Sequence, residues 1–150
     1  MDRTDKNILS ALQRNGRLTV TELADQVNLS ISPCHRRMRA LEASGAIRGY
    51  HADLDAHTLE FTFEALLFVS MNSANRDSID AFEAAAVEVP YILQAQRLFG
   101  EPDYLLRVIA PDQRTFQQIY DDQLATLPGV QKLVSTLVMK NVVENRPLPL

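Results

Sequence analysis

The chain has 150 residues, 46% of them hydrophobic, enough for one ordinary domain or two small ones. Fifteen Lys and Arg stand against nineteen Asp and Glu, a formal net charge of −4 that by itself argues against a general nucleic-acid binder. The longest apolar run, Ala65 to Val69, is far below the ~20 residues of a membrane-spanning helix. Met1-Asp2-Arg3-Thr4-Asp5 carries no apolar signal region, and the single cysteine, Cys34, excludes an intrachain disulfide framework. A reducing, cytoplasmic setting is expected.

The charges are unevenly placed. Up to Asp53 there are eight basic residues and six acidic ones; beyond it, seven basic and thirteen acidic. Such asymmetry points to two jobs on one chain.

The first fifty residues read as short helices. Asp5 to Asn15 places Ile8, Leu9 and Leu12 on one helical face, and Asn15-Gly16 supplies a stop. Thr19 and Glu22 form a capping box for a second helix, which buries Leu23, Ala24 and Val27 and ends at Asn28-Leu29-Ser30. Ser32-Pro33 reads as an N-cap followed by proline in the first helical position. That third helix runs to about Ser44, buries Cys34, Met38 and Leu41, and is ended by Gly45. Ile47 to Ala52 alternates loosely, as a short strand would, and Asp53 to Glu60 is a polar linker.

From Phe61 the period changes to two. Phe61–Met71 reads as a strand, Asp77–Val89 as a helix, Ile92–Phe99 and Asp103–Ala110 as two strands joined by Gly100-Glu101-Pro102. Asp112 caps a helix with an apolar face of Phe116, Ile119, Tyr120, Leu124 and Leu127, and Val130–Val143 is a final strand. The order βαββαβ is the ferredoxin-like unit. Its helices cover one sheet face only. Leu66 and Phe68 fall on the other, so a dimer through the sheet domain is expected.

Four constellations carry chemistry. The second and third helices form a helix–turn–helix. With Cys34, Met38 and Leu41 inward, the opposite face of the third helix presents Ser32, His35, Arg36 and Arg39, with Pro33 and Arg37 alongside. A helix fits the major groove, and Arg binds guanine bidentately. Arg17, Ser30 and the helix's first amides suit phosphates. The bland alternative is a three-helix bundle with a solvated basic face. Cys34-His35 lacks the further ligands a metal would need, and Cys34 reads as a small core residue. No phosphate loop or nucleophile–base pair is present, and Asp121-Asp122 reads as a solvated face, so no catalysis and no cofactor are expected. Gly100-Glu101-Pro102-Asp103-Tyr104 offers amides, a carboxylate and a phenol to a small ligand; a plain turn is the alternative.

Taken together, Asp5-Lys6-Asn7-Ile8-Leu9, Leu12-Gln13, Asn15-Gly16-Arg17, Ser32-Pro33-Cys34, Arg36-Arg37, Leu41-Glu42, Gly45-Ala46-Ile47, Gly100, Asp103-Tyr104-Leu105-Leu106 and Leu127-Pro128-Gly129-Val130 resemble the Lrp/AsnC (leucine-responsive, feast/famine) family of transcriptional regulators. The resemblance spans essentially the whole chain. It implies an α+β fold: an N-terminal winged helix–turn–helix over 1–52, a linker strand, and a βαββαβ effector and oligomerisation domain over 61–150. It also implies double-stranded DNA as partner, dimers assembling to octamers, and an amino-acid effector between neighbouring dimers. Carried across, Gly100, Asp103 and Tyr104, with Thr136 on the last strand, become the effector-binding residues. Asn28 stands where many members have Gly, and Pro102 removes one backbone donor. The alternative within the same fold is an architectural DNA-binding protein without small-molecule control.

Overall fold

A computed structural model describes all residues, 1–150. The chain forms two compact units: Met1–Asp53 together with Val142–Leu150, and Leu54–Asn141. The last nine residues thus group with the helical unit and not with the sheet domain into which the sequence placed them. Asn145 Nδ2 donates to Asp53 Oδ1 at 2.9 Å, and Leu148 N donates to Gln13 Oε1 at 2.6 Å.

The first unit holds α1 (Arg3–Arg14), α2 (Val20–Gln26) and α3 (Ile31–Ala43). Its core is small: Ile8, Ala11, Leu23, Ala24, Cys34 and Leu41 are buried, with Leu9, Leu12, Val27 and Met38 packed against them. At about 1.5–3 kcal/mol per large buried side chain, such a core leaves little margin, so helix ends matter. Asp2 and Asp5 form a capping box on α1, and Thr19 with Glu22 forms the expected one on α2. Asn28 takes φ 54, as the turn requires.

Two local expectations are corrected. The N-cap of α3 is Ser30, not Ser32, and Cys34 N donates to Ser30 O at 3.2 Å. Pro33 is therefore the third helical residue. The first-turn N–H groups have no intrahelical acceptor, so the missing donor costs nothing there. Ile47–Ala52 is not a strand, because no other strand lies in this unit to pair with it. It is a strap: Ile47 N donates to Leu41 O at 3.1 Å, and Tyr50 Oη donates to Glu42 Oε1 at 3.2 Å.

The second unit runs β1 (Phe63–Met71), α4 (Arg76–Val87), β2 (Ile92–Arg97), β3 (Tyr104–Ala110), α5 (Gln113–Ile119), a π-helical turn (Tyr120–Leu124) and β4 (Val130–Leu137). The antiparallel sheet has the order β2-β3-β1-β4. Ala65, Leu67, Val69 and Met71 of β1 join Tyr104, Leu106, Val108 and Ala110 of β3 on the buried face. Phe82 and Ala86 of α4, and Ile119, Leu124 and Leu127 beyond β3, close that core. The helix after Asp112 was expected to be continuous. Five residues separate Ile119 from Leu124, about 140° off-face in an α-helix. The π-turn, in which Ala125 N donates to Tyr120 O at 2.8 Å, turns both inward.

The last strand stops at Leu137 rather than Val143. Leu137 pairs with Ala65 and Val138 N donates to Glu64 O at 2.9 Å, close to the start of β1 at Phe63. On the face away from the helices, Leu66, Phe68 and Leu105 are half-buried, Ile109 is buried and Val134 is exposed. A bidentate pair crosses it: Arg107 Nε and Nη2 donate to Glu64 at 2.6 and 3.1 Å, holding that carboxyl below its usual range.

Arg37 does not stand free beside the α3 stripe. Its Nη1 donates to Asp2 Oδ2 and Asp5 Oδ1, each at 2.7 Å, and so clasps α3 to the start of α1. The Asp5 backbone N–H, and next Arg37, hold the Asp2 carboxyl below its ordinary value. A carboxylate with a lowered folded-state pKa contributes stability above its unfolded value and loses it as pH falls through the folded one. Arg37→Ala is therefore expected to lower the melting temperature at pH 7. The gap between variant and parent should close as pH drops through and below the carboxylate range; a gap independent of pH would refute the clasp.

Candidate functional site

Two surfaces collect the chemically capable residues, one in each unit. In the first unit, α3 turns Cys34 and Leu41 inward, and this fixes what faces out. Ser32, His35, Arg36 and Arg39, at helical spacings of three, one and three, are all exposed. Arg36 has no acidic partner among the ion pairs, whereas Arg39 Nη1 lies 3.5 Å from Glu42 Oε2, a loose exposed contact. Ser30 sits at the N-cap with no cap bond from its hydroxyl. Arg17 lies exposed in the α1–α2 turn, its backbone N–H donating to Asn15 Oδ1 at 3.0 Å. Pro33 is half-buried. Of the eight residues singled out in the sequence, Ser30, Ser32, Pro33, His35, Arg36 and Arg39 thus lie along α3 or at its N-cap, Arg17 lies in the α1–α2 turn, and Arg37 is tied to two carboxylates. The clasp partners Asp2 and Asp5 escaped the sequence reading, because no local pattern links them to residue 37. Burial raises the Cys34 thiol's pKa and keeps it a neutral core group.

In the second unit, the β2–β3 connection holds Gly100, at φ 136, and Asp103. Asp103 is locked into the sheet: its N donates to Val69 O at 2.9 Å, its O accepts from Leu98 N at 2.8 Å, and its Oδ2 accepts from Met71 N at 2.7 Å. Tyr104 opens β3, is 2% exposed, and donates from Oη to Glu83 Oε1 at 2.8 Å. Its ring lies 4.4 Å from that of Phe82. Burial first, and then Glu83, push the phenol up to about 12, so it remains a donor. The tyrosine forms part of a cleft of about 570 Å³ between α4 and β2, where Glu83 and Arg97 also lie. Neither of those two was read from the sequence; each is a single charge on an amphipathic element. Thr136 pairs with Leu66, across the sheet from Tyr104, so within one chain it does not join this group.

Residues 1–48 match the family described as winged helix-turn-helix DNA-binding, and residues 64–148 match the Lrp/AsnC ligand binding domain. The leucine-responsive regulatory proteins of Salmonella typhimurium and Escherichia coli K12 are each 34% identical over 148 residues, covering 99% of this chain and 90% of theirs. A transcriptional regulator from Neisseria meningitidis, solved in complex with L-Met, superposes with a TM-score of 0.93 at 38% identity, covering 99% of this chain and 96% of that one. An AsnC family regulator from Agrobacterium tumefaciens gives 0.93 at 31% identity, covering 99% and 97%. A basic helix–turn–helix, a ferredoxin-like sheet domain and these full-length similarities make the chain a member of the Lrp/AsnC family of DNA-binding transcriptional regulators.

Proposed function

We propose that the protein reads specific DNA sites through α3 and changes its DNA affinity in response to an amino acid. The observation that carries the reading is the division of α3: Cys34 and Leu41 buried, Ser32, His35, Arg36 and Arg39 exposed. Arg36 is the base-reading candidate, and a bidentate contact to guanine discriminates by about 1–3 kcal/mol. Arg17, Ser30, Pro33 and Arg39 border that surface and suit backbone contacts. Arg37 acts by holding α3 in place.

The tail residues Val142–Leu150 add one Glu and one Arg, so the reading unit keeps a formal charge of +2. So small a charge gives weak non-specific attraction, and specificity calls for two linked readers about 10 bp or a multiple apart. Leu66, Phe68, Leu105 and Val134 on the helix-free sheet face supply the linking surface in a dimer, which associates further. The effector acts on Gly100, Asp103 and Tyr104; Thr136, on the other sheet face, enters only as part of another copy's site. An effector must bind two assembly states unequally to shift them. The protein acts in the cytoplasm and without catalysis. No helix is long and apolar enough to cross a membrane.

Four tests bear on this reading. Arg36→Ala should weaken operator binding about tenfold or more without lowering the melting temperature. Arg37→Ala should weaken binding with an unchanged salt slope, whereas loss of a phosphate contact lowers that slope by about one. Phe68→Asp should convert the wild-type oligomer to a 16.9 kDa species by light scattering; a monomeric wild type would refute the linked readers. In a thermal-shift screen of the twenty amino acids, a ligand at a hundredfold its Kd adds about 2.7 kcal/mol. No rise with any of them would favour an architectural role.

A further inference from the structure

One side chain of the strap after α3 touches two parts of the basic surface. Tyr50 is 50% exposed. A methyl group on Gly16 would lie 3.7 Å from Tyr50 Cδ1, an ordinary contact distance, so the ring sits against the α1–α2 turn that carries Arg17. At its other end the Tyr50 hydroxyl donates to Glu42 Oε1 at 3.2 Å, in the last turn of α3. Burial first, and then Glu42, raise the phenol's pKa, so the group stays a donor at neutral pH.

Glu42 stands three residues after Arg39, where a carboxylate and a guanidinium on one helix face can pair. The tightest form of such a pair sets both oxygens on two guanidinium nitrogens, as Glu64 and Arg107 do at 2.6 and 3.1 Å in the sheet unit. Glu42 and Arg39 do not take that form. Only Oε2 approaches, at 3.5 Å from a single nitrogen, Nη1. The Arg39 side chain is 70% exposed and that of Glu42 only 27%. Oε1 is already engaged by the tyrosine. The anchored carboxylate therefore leaves the guanidinium with one loose contact, on the same exposed face as Ser32, His35 and Arg36. A DNA phosphate binds arginine through the donors that a bidentate carboxylate would occupy.

We propose that Tyr50 is a positioning residue for DNA binding: its hydroxyl holds Glu42 so that the carboxylate does not fork onto Arg39, and Arg39 stays available to a DNA phosphate. The proposal rests on the reading above that Arg39 makes a backbone contact. It gives the strap a part in binding without any contact of its own with DNA. Tyr50→Phe keeps the ring on the α1–α2 turn and removes only the hydroxyl. Glu42 is then free to take Arg39 with both oxygens, and one phosphate-binding charge is neutralised.

The test is a salt titration of the full-length protein on a mixed-sequence DNA duplex several helical turns long, read by fluorescence anisotropy at rising salt from about 50 mM. Such a duplex reports phosphate contacts without requiring an operator. Parent, Arg39→Ala, Tyr50→Phe, Glu42→Gln and the Tyr50→Phe/Glu42→Gln double variant are compared, with a melting curve for each. Arg39→Ala should weaken binding about threefold or more and lower the logarithmic salt slope by about one. Tyr50→Phe should move affinity and slope in the same direction. An amide has no charge with which to hold Arg39, so the same change made in the Glu42→Gln background should leave the slope where it was. If Arg39→Ala lowers the slope but Tyr50→Phe does not, or if Tyr50→Phe lowers it equally in both backgrounds, the positioning role is overturned and the Arg39 contact stands. A loss of melting temperature in Tyr50→Phe with an unchanged slope would make the tyrosine a packing residue only. An unchanged slope in Arg39→Ala would overturn the phosphate contact and the positioning role with it.

Discussion

β1 is hydrogen-bonded on both sides, to β3 and to β4, and the sheet unit is arranged around that strand. Its alternation sends Ala65, Leu67, Val69 and Met71 under the helices and Leu66 and Phe68 to the other face. A slip of one residue would exchange the two sets, so the register is held by the full hydrophobic gain of the core. Asp103 locks the end of the ladder by bonding Val69 and Met71 of β1. With the register fixed, Tyr104 must lie beneath α4 beside Phe82, and Thr136 must lie on the opposite face.

The helical unit depends on its ends more than on its bulk. Ile8, Leu23 and Leu41 are the only large aliphatic side chains among its buried residues. Two capping boxes satisfy first-turn N–H groups, and the acids of the first box also hold Arg37. The Asp2–Asp5 pair thus serves the start of α1 and the seating of α3 at once. With so few large buried side chains, this contact between the start of α1 and α3 bears on how α3 is presented.

Much of this was legible because it is periodic or local. The apolar residues expected on the helix, Ile79, Phe82 and Ala86, are buried on α4, and Val89 is buried just past its end. The Thr19–Glu22 box and the positive φ at Asn28 are set within a few residues of chain. Errors came where an element's fate depends on partners distant in sequence. Ile47–Ala52 alternates like a strand but has no ladder to join, and β4 ends near the start of β1. The start of α3 also differs: Ser30 is the N-cap, without a side-chain cap bond, and Pro33 is tolerated in the first turn from either start.

The net charge of −4 resolves into a basic reader and an acidic sheet domain, a division written wholly in the sequence, as are the order of elements and the family motifs. Those properties follow from residue type and spacing along the chain. The tertiary structure alone decided that Arg37 is a clasp, that Val142–Leu150 belongs with the reader, and that Glu83 and Arg97 meet beside Tyr104. Each joins residues 14 or more positions apart. Such meetings depend on how helices and strands pack, and no local propensity encodes them.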